Sequence, residues 1–314
     1  MKTKEKILKL SQEGAVQCYI GSNDEPTEYK GVVLILHGMC EHAERYEGFA
    51  EQLTKTGYLV YAHNQRGHKG SIASKVDYGY MTDGNNFNIL ISDIYEIVGL
   101  IKAAHPGLPL FLFGHSMGAF LAERFAQLHG NMINGIILSG STKYSGSTLG
   151  IGALIAKIIC SLRGRRFRSK LINKLTFGTY NKGFRPNRTQ YDWLNRDPIE
   201  VDKYNNDEYC GGIFTTAFYK DFFVGLLAIN NNYELVPKDL PILMISGSND
   251  PVGNYSKNVT KLYRTFRKMQ IKDVEFKLYD GARHEILLEY CKDEVVNDCL
   301  AWLGKHSEKL VKAI

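Results

Sequence analysis

The sequence has no pair of cysteines spaced for metal binding or redox chemistry, and no C-x-x-C motif occurs in its 314 residues. The six cysteines are scattered along the chain: Cys18, Cys40, Cys160, Cys210, Cys291 and Cys299. This spacing argues against a disulfide framework and against a cysteine zinc site. We therefore expect reduced thiols in a cytoplasmic protein.

Long apolar runs are also missing. No stretch of eighteen or more consecutive apolar residues is present, so we expect no membrane-spanning helix. Residues 1–10 are basic but develop no apolar core, which argues against a secretory signal. With 44% hydrophobic and 23% charged residues, the chain has the composition of a globular protein. Its length indicates about two domains, or one large α/β domain with an insertion.

Strand-like apolar runs alternate with helical patterns early in the chain and again near its end. This alternation is typical of a mostly parallel sheet with helices on its faces, an α/β fold. The predicted strands are 15–20, 32–36, 59–63, 110–113, 136–138, 242–246 and 274–279. The predicted helices are 46–56, 86–105, 119–129, 259–269 and 289–309.

The alternation stops between residues 141 and 233, which predicts a mainly helical insertion, or cap, in a core formed by residues 1–140 and 234–314. Residues 141–232 contain 14 Lys and Arg against 7 Asp and Glu, whereas the remainder contains 25 against 26. All the excess positive charge therefore lies in the insertion. An apolar stretch at 149–160 is followed by a basic cluster at Arg163, Arg165, Arg166 and Arg168. This pattern predicts a helix that lies on lipid or a lid helix with a solvated basic end.

A G-x-S-x-G motif occupies residues 114–118, between a predicted strand and a predicted helix. A serine at such a corner stands on a strained turn that raises its hydroxyl above the sheet. We interpret Ser116 as a nucleophile; the alternative is a glycine-rich turn that carries a surface serine.

A serine nucleophile requires a histidine base, and at an elbow of this kind the base follows the serine in the chain. Three histidines follow Ser116. His129 and His306 lie in predicted helices and have the character of surface residues. His284 comes directly after the predicted strand 274–279, so we expect it to be the base.

The acid that orients the base is expected between the serine and the histidine. Asp250 follows the predicted strand 242–246 and would stand at the same edge of the sheet as Ser116. Asp280 and Glu285 remain further candidates. The alternative role for Asp250 is an Asx-turn without catalysis.

The developing oxyanion requires hydrogen-bond donors. The backbone N–H of Met117, after the nucleophile, is one candidate, and that of Met39, in the turn after the predicted strand 32–36, is the second. We expect no metal or cofactor, because four early histidines show no zinc-ligand spacing: His37, His42, His63 and His68.

Residues 37–46, HGMCEHAERY, resemble the HG-x-x-EH-x-x-RY signature of monoacylglycerol lipases and bacterial lysophospholipases in the α/β-hydrolase superfamily, the serine aminopeptidase S33-type hydrolases. The segments 65–68, 114–118, 247–250 and 283–285 follow in that family's order. The sequence departs from the pattern at Asn64, where aspartate is usual, and at Lys69, where glycine is usual. The resemblance implies an α/β-hydrolase fold with a cap, a triad and two oxyanion donors, carried by Ser116, Asp250, His284, Met39 and Met117.

The implied activity is two-step hydrolysis of a lipid ester, without a cofactor. The aromatic cap suits one acyl chain, and its charge favours a phosphate-bearing substrate or peripheral contact with an anionic membrane. Alternatives with the same fold are a general carboxylesterase, a thioesterase or a proline-iminopeptidase-like aminopeptidase. A non-catalytic ligand-binding protein is the alternative of another class. No recognised module supports nucleic-acid binding, and the oligomeric state is open.

Overall fold

An eight-stranded, mostly parallel sheet lies at the centre of this computed structural model, which describes residues 1–11, 14–23 and 28–311. The strands are β1 (Lys2–Lys9), β2 (Ala15–Ser22), β3 (Gly31–Leu36), β4 (Tyr58–His63), β5 (Leu110–His115), β6 (Gly135–Ser139), β7 (Ile242–Gly247) and β8 (Val274–Tyr279). They are ordered β1-β2-β4-β3-β5-β6-β7-β8. Strand β2 pairs antiparallel with β1 and β4, and the pairings from β4 to β8 are parallel. The predicted fold class is confirmed.

Strand β1 was not predicted from the sequence. It pairs with β2 from Lys2↔Ser22 to Lys9↔Ala15, and nearly all of its residues are exposed. An edge strand that buries almost nothing has no apolar alternation, so the hydrophobic pattern gave no signal. Its lysines also discourage pairing with a further chain.

Helices cover both faces of the sheet. Within the described residues they are α1 (Glu47–Lys55), α2 (Asn86–Ala104), α3 (Met117–His129), α4 (Gly146–Arg163), α5 (Lys170–Phe177), α6 (Pro198–Asn206), α7 (Thr216–Asn230), α8 (Lys257–Lys268) and α9 (Lys292–Val311). Helices α2, α3 and α8 pack on one apolar cluster, and α1 and α9 pack on another across the sheet. Strands β3 and β5 lie between the two clusters and are wholly buried. This explains why they read as continuous apolar runs.

Helices α4 to α7 lie between β6 and β7 in the chain, and α4 packs along α7. Among the described helices, α4 alone has the length and composition to cross a membrane, with 18 residues and a mean hydropathy of 1.3. The search for uninterrupted apolar runs did not detect this helix, because glycine, serine and Lys157 interrupt its apolar residues. Only Leu149 and Ala156 of α4 are buried, so most of the helix faces outward.

Candidate active site

Ser116 stands at the tight corner between β5 and α3. Its backbone lies in the strained region of positive φ, with φ 52° and ψ −115°, and its N–H donates to the Ser139 carbonyl oxygen at 2.9 Å. A Cβ at Gly114 would lie 2.4 Å from the Gly118 carbonyl oxygen, and one at Gly118 would lie 2.0 Å from the Leu36 carbonyl oxygen. Both motif glycines are therefore required by the close backbone approach.

His284 and Asp250 lie on the loops after β8 and β7 and are joined by a hydrogen bond. The Nδ1–H of His284 donates to Oδ2 of Asp250 at 2.8 Å, and both side chains are buried. Burial lowers the pKa of His284, but the charge and hydrogen bond of Asp250 outweigh it and hold that pKa above its ordinary value. Asp250 is itself oriented, because its Oδ1 accepts from the Val252 N–H at 2.8 Å. Among the residues that the structure describes, Nε2 of His284 forms no hydrogen bond and is therefore available for proton transfer.

The other candidates for base and acid have separate partners. His306 is buried, not at the surface as expected, and contacts the Trp302 carbonyl oxygen and Asp273. His129 is half-buried, and its ring packs against Tyr95 of α2 and Phe125 of α3. Asp280 accepts a long hydrogen bond from Ser248, at 3.4 Å. Glu285 accepts hydrogen bonds from Arg45.

The two candidate oxyanion donors flank Ser116. Within the described part of the chain, neither the N–H of Met39 nor that of Met117 donates to a protein acceptor. Met117 is the first residue of α3, whose N-terminus favours negative charge. Both methionines line the cavity that contains Ser116.

A buried ion network connects the turn that carries Met39 to the loop that carries His284. Arg45 donates to Glu41 at 2.6 Å and to both oxygens of Glu285, at 2.5 and 2.8 Å. Glu41 in turn accepts from the Gly38 N–H at 2.5 Å and from the Tyr46 hydroxyl at 2.8 Å. Sequence reasoning assigned no role to this network, although Glu41 and Arg45 have the i, i+4 spacing that marks an ion pair.

The two departures from the family pattern meet at one carboxylate. Asn64 contacts Glu44 Oε2 at 3.4 Å, and Lys69 lies 3.2 Å from Glu44 Oε1. Asn64 also accepts from the Ala43 N–H at 2.7 Å and donates to Gln17 at 2.8 Å. The amide thus holds the loop before Arg66 to the turn after β3.

Three early histidines are buried and neutral. Burial lowers the pKa of His37 to about 3, that of His63 to about 4 and that of His68 to about 3. His37 has a supporting role, because its Nε2 accepts from the Gln65 N–H at 2.9 Å and its Nδ1–H donates to the Gly38 carbonyl at 2.8 Å.

His42 belongs to a group that could hold a metal ion. Its potential ligand atom lies within 4.8 Å of those of Asp207 and Cys210. Both ring nitrogens are engaged, however, Nδ1 with Glu44 at 2.7 Å and Nε2 with Asp207 at 2.9 Å. Through these two contacts the His42 ring joins the turn after β3 to the end of α6.

Two chambers meet at Ser116, Met39, Phe177 and Trp193. The first, about 250 Å³, is mostly apolar, and its further lining residues include Met117, Phe120, Tyr144, Leu149, Ile155, Phe222, Phe223, Leu226 and Val252. The second, about 460 Å³, also contains His284 and carries the polar side chains of Asn173, Lys174, Asn181, Gln190, Glu41 and Glu285. The Trp193 ring lies 5.2 Å from that of His284, between centroids. The second chamber also has apolar lining, so the site offers one apolar compartment and one of mixed, more polar character, called the polar chamber below, to the two halves of a substrate.

An elbow serine at the carboxyl edge of a mostly parallel sheet, below helices inserted between two strands, is the arrangement of the α/β hydrolases. The chain belongs to the serine aminopeptidase S33 family of hydrolases, which matches residues 27–290. It is 28% identical over 283 residues to the monoglyceride lipase homolog of Monkeypox virus, covering 89% of this chain and 91% of that one. It is 27% identical over 284 residues to the human monoglyceride lipase, covering 88% and 84%.

Solved structures show the same fold. A thermostable carboxyl esterase from Bacillus coagulans superposes with a TM-score of 0.89 at 24% identity, over 98% of this chain and 99% of the esterase. A soluble variant of the Saccharomyces cerevisiae monoglyceride lipase, in complex with a substrate analog, superposes with a TM-score of 0.74 at 23% identity, over 96% and 94%. The α/β-hydrolase fold expected from the sequence is thereby confirmed.

Proposed function

We propose that this protein hydrolyses the ester of a single-chain lipid, of the monoacylglycerol or lysophospholipid type, through Ser116, His284 and Asp250. The meeting of an apolar and a polar chamber at Ser116 carries the proposal, because an ester of this kind has one apolar and one polar half. The relatives named monoglyceride lipases support the same substrate class.

The geometry supports a two-step acyl transfer. Nε2 of His284 takes the hydroxyl proton as Ser116 attacks the ester carbonyl, and the N–H groups of Met39 and Met117 receive the developing oxyanion. The imidazolium then protonates the leaving alcohol as the carbon–oxygen bond breaks and an acyl-serine remains. Water, deprotonated by the same nitrogen, attacks the acyl-serine and releases the fatty acid. Asp250 keeps Nδ1 protonated throughout.

We infer that residues 141–233 act as the cap over this reaction. Side chains from α4, α5 and α7 line the apolar chamber, as the acyl chain requires: Leu149, Ile155, Ile172, Phe222 and Leu226. The polar chamber then holds the leaving alcohol, with Asn173 and Lys174 of α5 within it. In this proposal α4 and α7 contribute to acyl-chain selection, and α5 contributes to both chambers.

Peripheral contact with a membrane is also part of the proposal. Four apolar side chains of α4 follow the spacing of one helix face and are 49 to 77% exposed: Ile151, Leu154, Ile158 and Leu162. An exposed apolar helix face of this kind partitions into a lipid interface. The neighbouring basic cluster contributes less than the sequence indicated, since three of its arginines bind the loop at residues 76–84: Arg165, Arg166 and Arg168.

Membership of the serine aminopeptidase S33 family makes an aminopeptidase the main alternative. A peptidase of that kind needs a free carboxylate for the substrate amine. Glu41 and Glu285 do line the polar chamber, but Arg45 neutralises both. This pairing favours an ester substrate.

A substrate panel tests the assignment. Monoacylglycerols, lysophospholipids, p-nitrophenyl esters and aminoacyl anilides are assayed with wild type and Ser116→Ala, and circular dichroism confirms that the variant is folded. We expect turnover of one or both lipid classes and loss of all activity in Ser116→Ala. Hydrolysis of anilides alone would establish the peptidase, and activity retained by the variant would refute the triad.

A further inference from the structure

Helix α8 lies outside the cap and has two contrasting faces. Its buried face consists of Val259, Leu262 and Phe266, which pack in the core cluster shared with α2 and α3. These residues fall within about 60° of one another on a helix that turns 100° per residue. The face is therefore an ordinary amphipathic contact with the core.

The opposite face of α8 is a stripe of cations, here called the basic stripe: Lys257, Lys261, Arg264 and Lys268. Their spacing of i, i+4, i+7 and i+11 aligns them along a line about 16 Å long. All four are exposed, and Arg267 is exposed beside them. Helix α8 contains no acidic residue.

The basic stripe has no internal compensation. Within the described part of the chain, none of its four cations forms an ion pair, whereas other exposed lysines do, such as Lys75 with Glu208 and Lys203 with Glu200. Cations at i, i+3 and i+4 repel one another, and Lys257, in the first turn, also opposes the helix dipole. Such an arrangement becomes favourable against a negatively charged surface.

The start of α8 lies next to the start of α4. The Lys143 N–H donates to the Asn258 carbonyl oxygen at 3.4 Å, and α4 begins three residues after Lys143. The helix that carries the exposed apolar face and the helix that carries the basic stripe thus begin close together, near the carboxyl edge of the sheet. An apolar contact and a polybasic contact together are the two signals that stable peripheral binding requires.

We propose that the basic stripe docks the enzyme on the surface of a bilayer that contains anionic lipid. The proposal rests on the proposed function, because a lipid ester is presented to the enzyme at such a surface. Each cation near an anionic bilayer contributes about 1 kcal/mol, so four of them are worth about two to three powers of ten in partitioning. The charge that holds the enzyme to the membrane then lies on the core, and the cap contributes apolar contact.

Vesicle sedimentation of the full chain tests the proposal. The stripe variant carries Lys257→Gln, Lys261→Gln, Arg264→Gln and Lys268→Gln. The control variant loses the same charge at exposed lysines of β1 and α1, through Lys4→Gln, Lys6→Gln, Lys9→Gln and Lys55→Gln. Both are compared with wild type on phosphatidylcholine vesicles with and without 30% phosphatidylserine, at about 0.1 M and 1 M salt.

We expect the stripe variant to bind the anionic vesicles at least tenfold more weakly than wild type, and the control variant to stay within about threefold. High salt should abolish the difference between the stripe variant and wild type, because the Debye screening length falls to about 3 Å at 1 M. Equal loss in both variants would mean that net charge alone matters and would overturn the proposal, as would tighter binding to a 30-nucleotide single-stranded DNA than to the anionic vesicles. Hydrolysis of a soluble p-nitrophenyl ester reports on the proposed function separately and should be equal in all three proteins.

Discussion

Removal of the Arg45 guanidinium should destabilise the fold and slow catalysis together. Arg45→Gln leaves two carboxylates, Glu41 and Glu285, that are 3% and 6% exposed and without their cation. Breaking a buried ion pair from one side costs about 3–5 kcal/mol, because the remaining charge stays desolvated. Since the free energy of unfolding of a domain is about 5–15 kcal/mol in total, the expected loss is a large fraction of it.

The expected effect on catalysis follows from the same contacts. Glu41 accepts from the Gly38 N–H, one residue before the proposed oxyanion donor Met39, and Glu285 directly follows the proposed base, His284. Displacement of an oxyanion donor lowers kcat by a factor of up to about 10²–10³. We expect a lower kcat for a soluble ester with a much smaller change in KM, because Arg45 lines neither chamber at Ser116.

Urea unfolding monitored by tryptophan fluorescence measures the free energy of unfolding. Arg45→Lys, which keeps the positive charge, is the variant to measure if Arg45→Gln does not fold. The matched control is Arg188→Gln, which breaks an ion pair with Asp202 that is 48% exposed on both sides and should leave stability within about 1 kcal/mol of wild type. A double variant, Arg45→Gln with Glu285→Gln, should recover part of the loss. A loss below about 1 kcal/mol in Arg45→Gln would refute the reasoning, since the carboxylates would then be hydrated.

Three further outcomes are expected. Asp250→Asn should lower kcat by about 10⁴ with the fold intact, and should move the acid limb of the kcat/KM profile to lower pH, because the carboxylate holds the pKa of His284 up. Burial raises the pKa of Glu123 to about 7, so the stability that this group contributes is present below pH 4.5 and is lost as pH rises through 7. Glu123→Gln should therefore remove roughly 3 kcal/mol from the change of unfolding free energy between these pH values, and should be more stable than wild type at pH 8. Gly118→Ala should destabilise by about 1–3 kcal/mol or more, because its Cβ would lie 2.0 Å from a β3 carbonyl oxygen, whereas Gly150→Ala, with open space around it, should be neutral or stabilising.

Each of these outcomes can be contradicted by a simple measurement. An unchanged pH profile in Asp250→Asn would remove the carboxylate from its proposed role. Identical slopes of unfolding free energy against pH in wild type and Glu123→Gln would show that Glu123 does not titrate in this range. Equal thermal midpoints for Gly118→Ala and wild type would contradict the close approach of α3 to β3.

Most of the central sheet could be predicted because its strands are buried on both faces. Strands β3, β5 and β7 are uninterrupted apolar runs, and helices α2 and α8 show the apolar spacing of an amphipathic helix. Strand β1 could not be predicted, because its pairing with β2 depends on backbone hydrogen bonds that leave no pattern in the side chains. The candidate triad was accessible for a different reason: each member follows a recognisable strand, and parallel strands bring their carboxyl ends to one edge.

The network around Arg45 was accessible only in part. The i, i+4 spacing of Glu41 and Arg45 is visible in the sequence, but the bond from Arg45 to Glu285 joins residues 240 positions apart. The division of the cavity into two chambers is equally non-local, since α4, α5 and α7 contribute to it together with β3 and β5 turns. Neither feature has a local signature.

The distribution of charge shows most clearly which properties the sequence determines and which depend on the tertiary structure. Counting along the chain places the excess of cations in residues 141–232, and this count is correct. Folding then engages Arg165, Arg166 and Arg168 with the loop at residues 76–84, and leaves the cations of α8 exposed and unpaired within the described residues. Local order dictates which residues form a strand, a helix or an elbow, because these depend on neighbours a few positions away. Which charges are neutralised, which carboxylates are buried together and which helix face meets solvent depend on contacts between distant segments, and only the folded chain decides them.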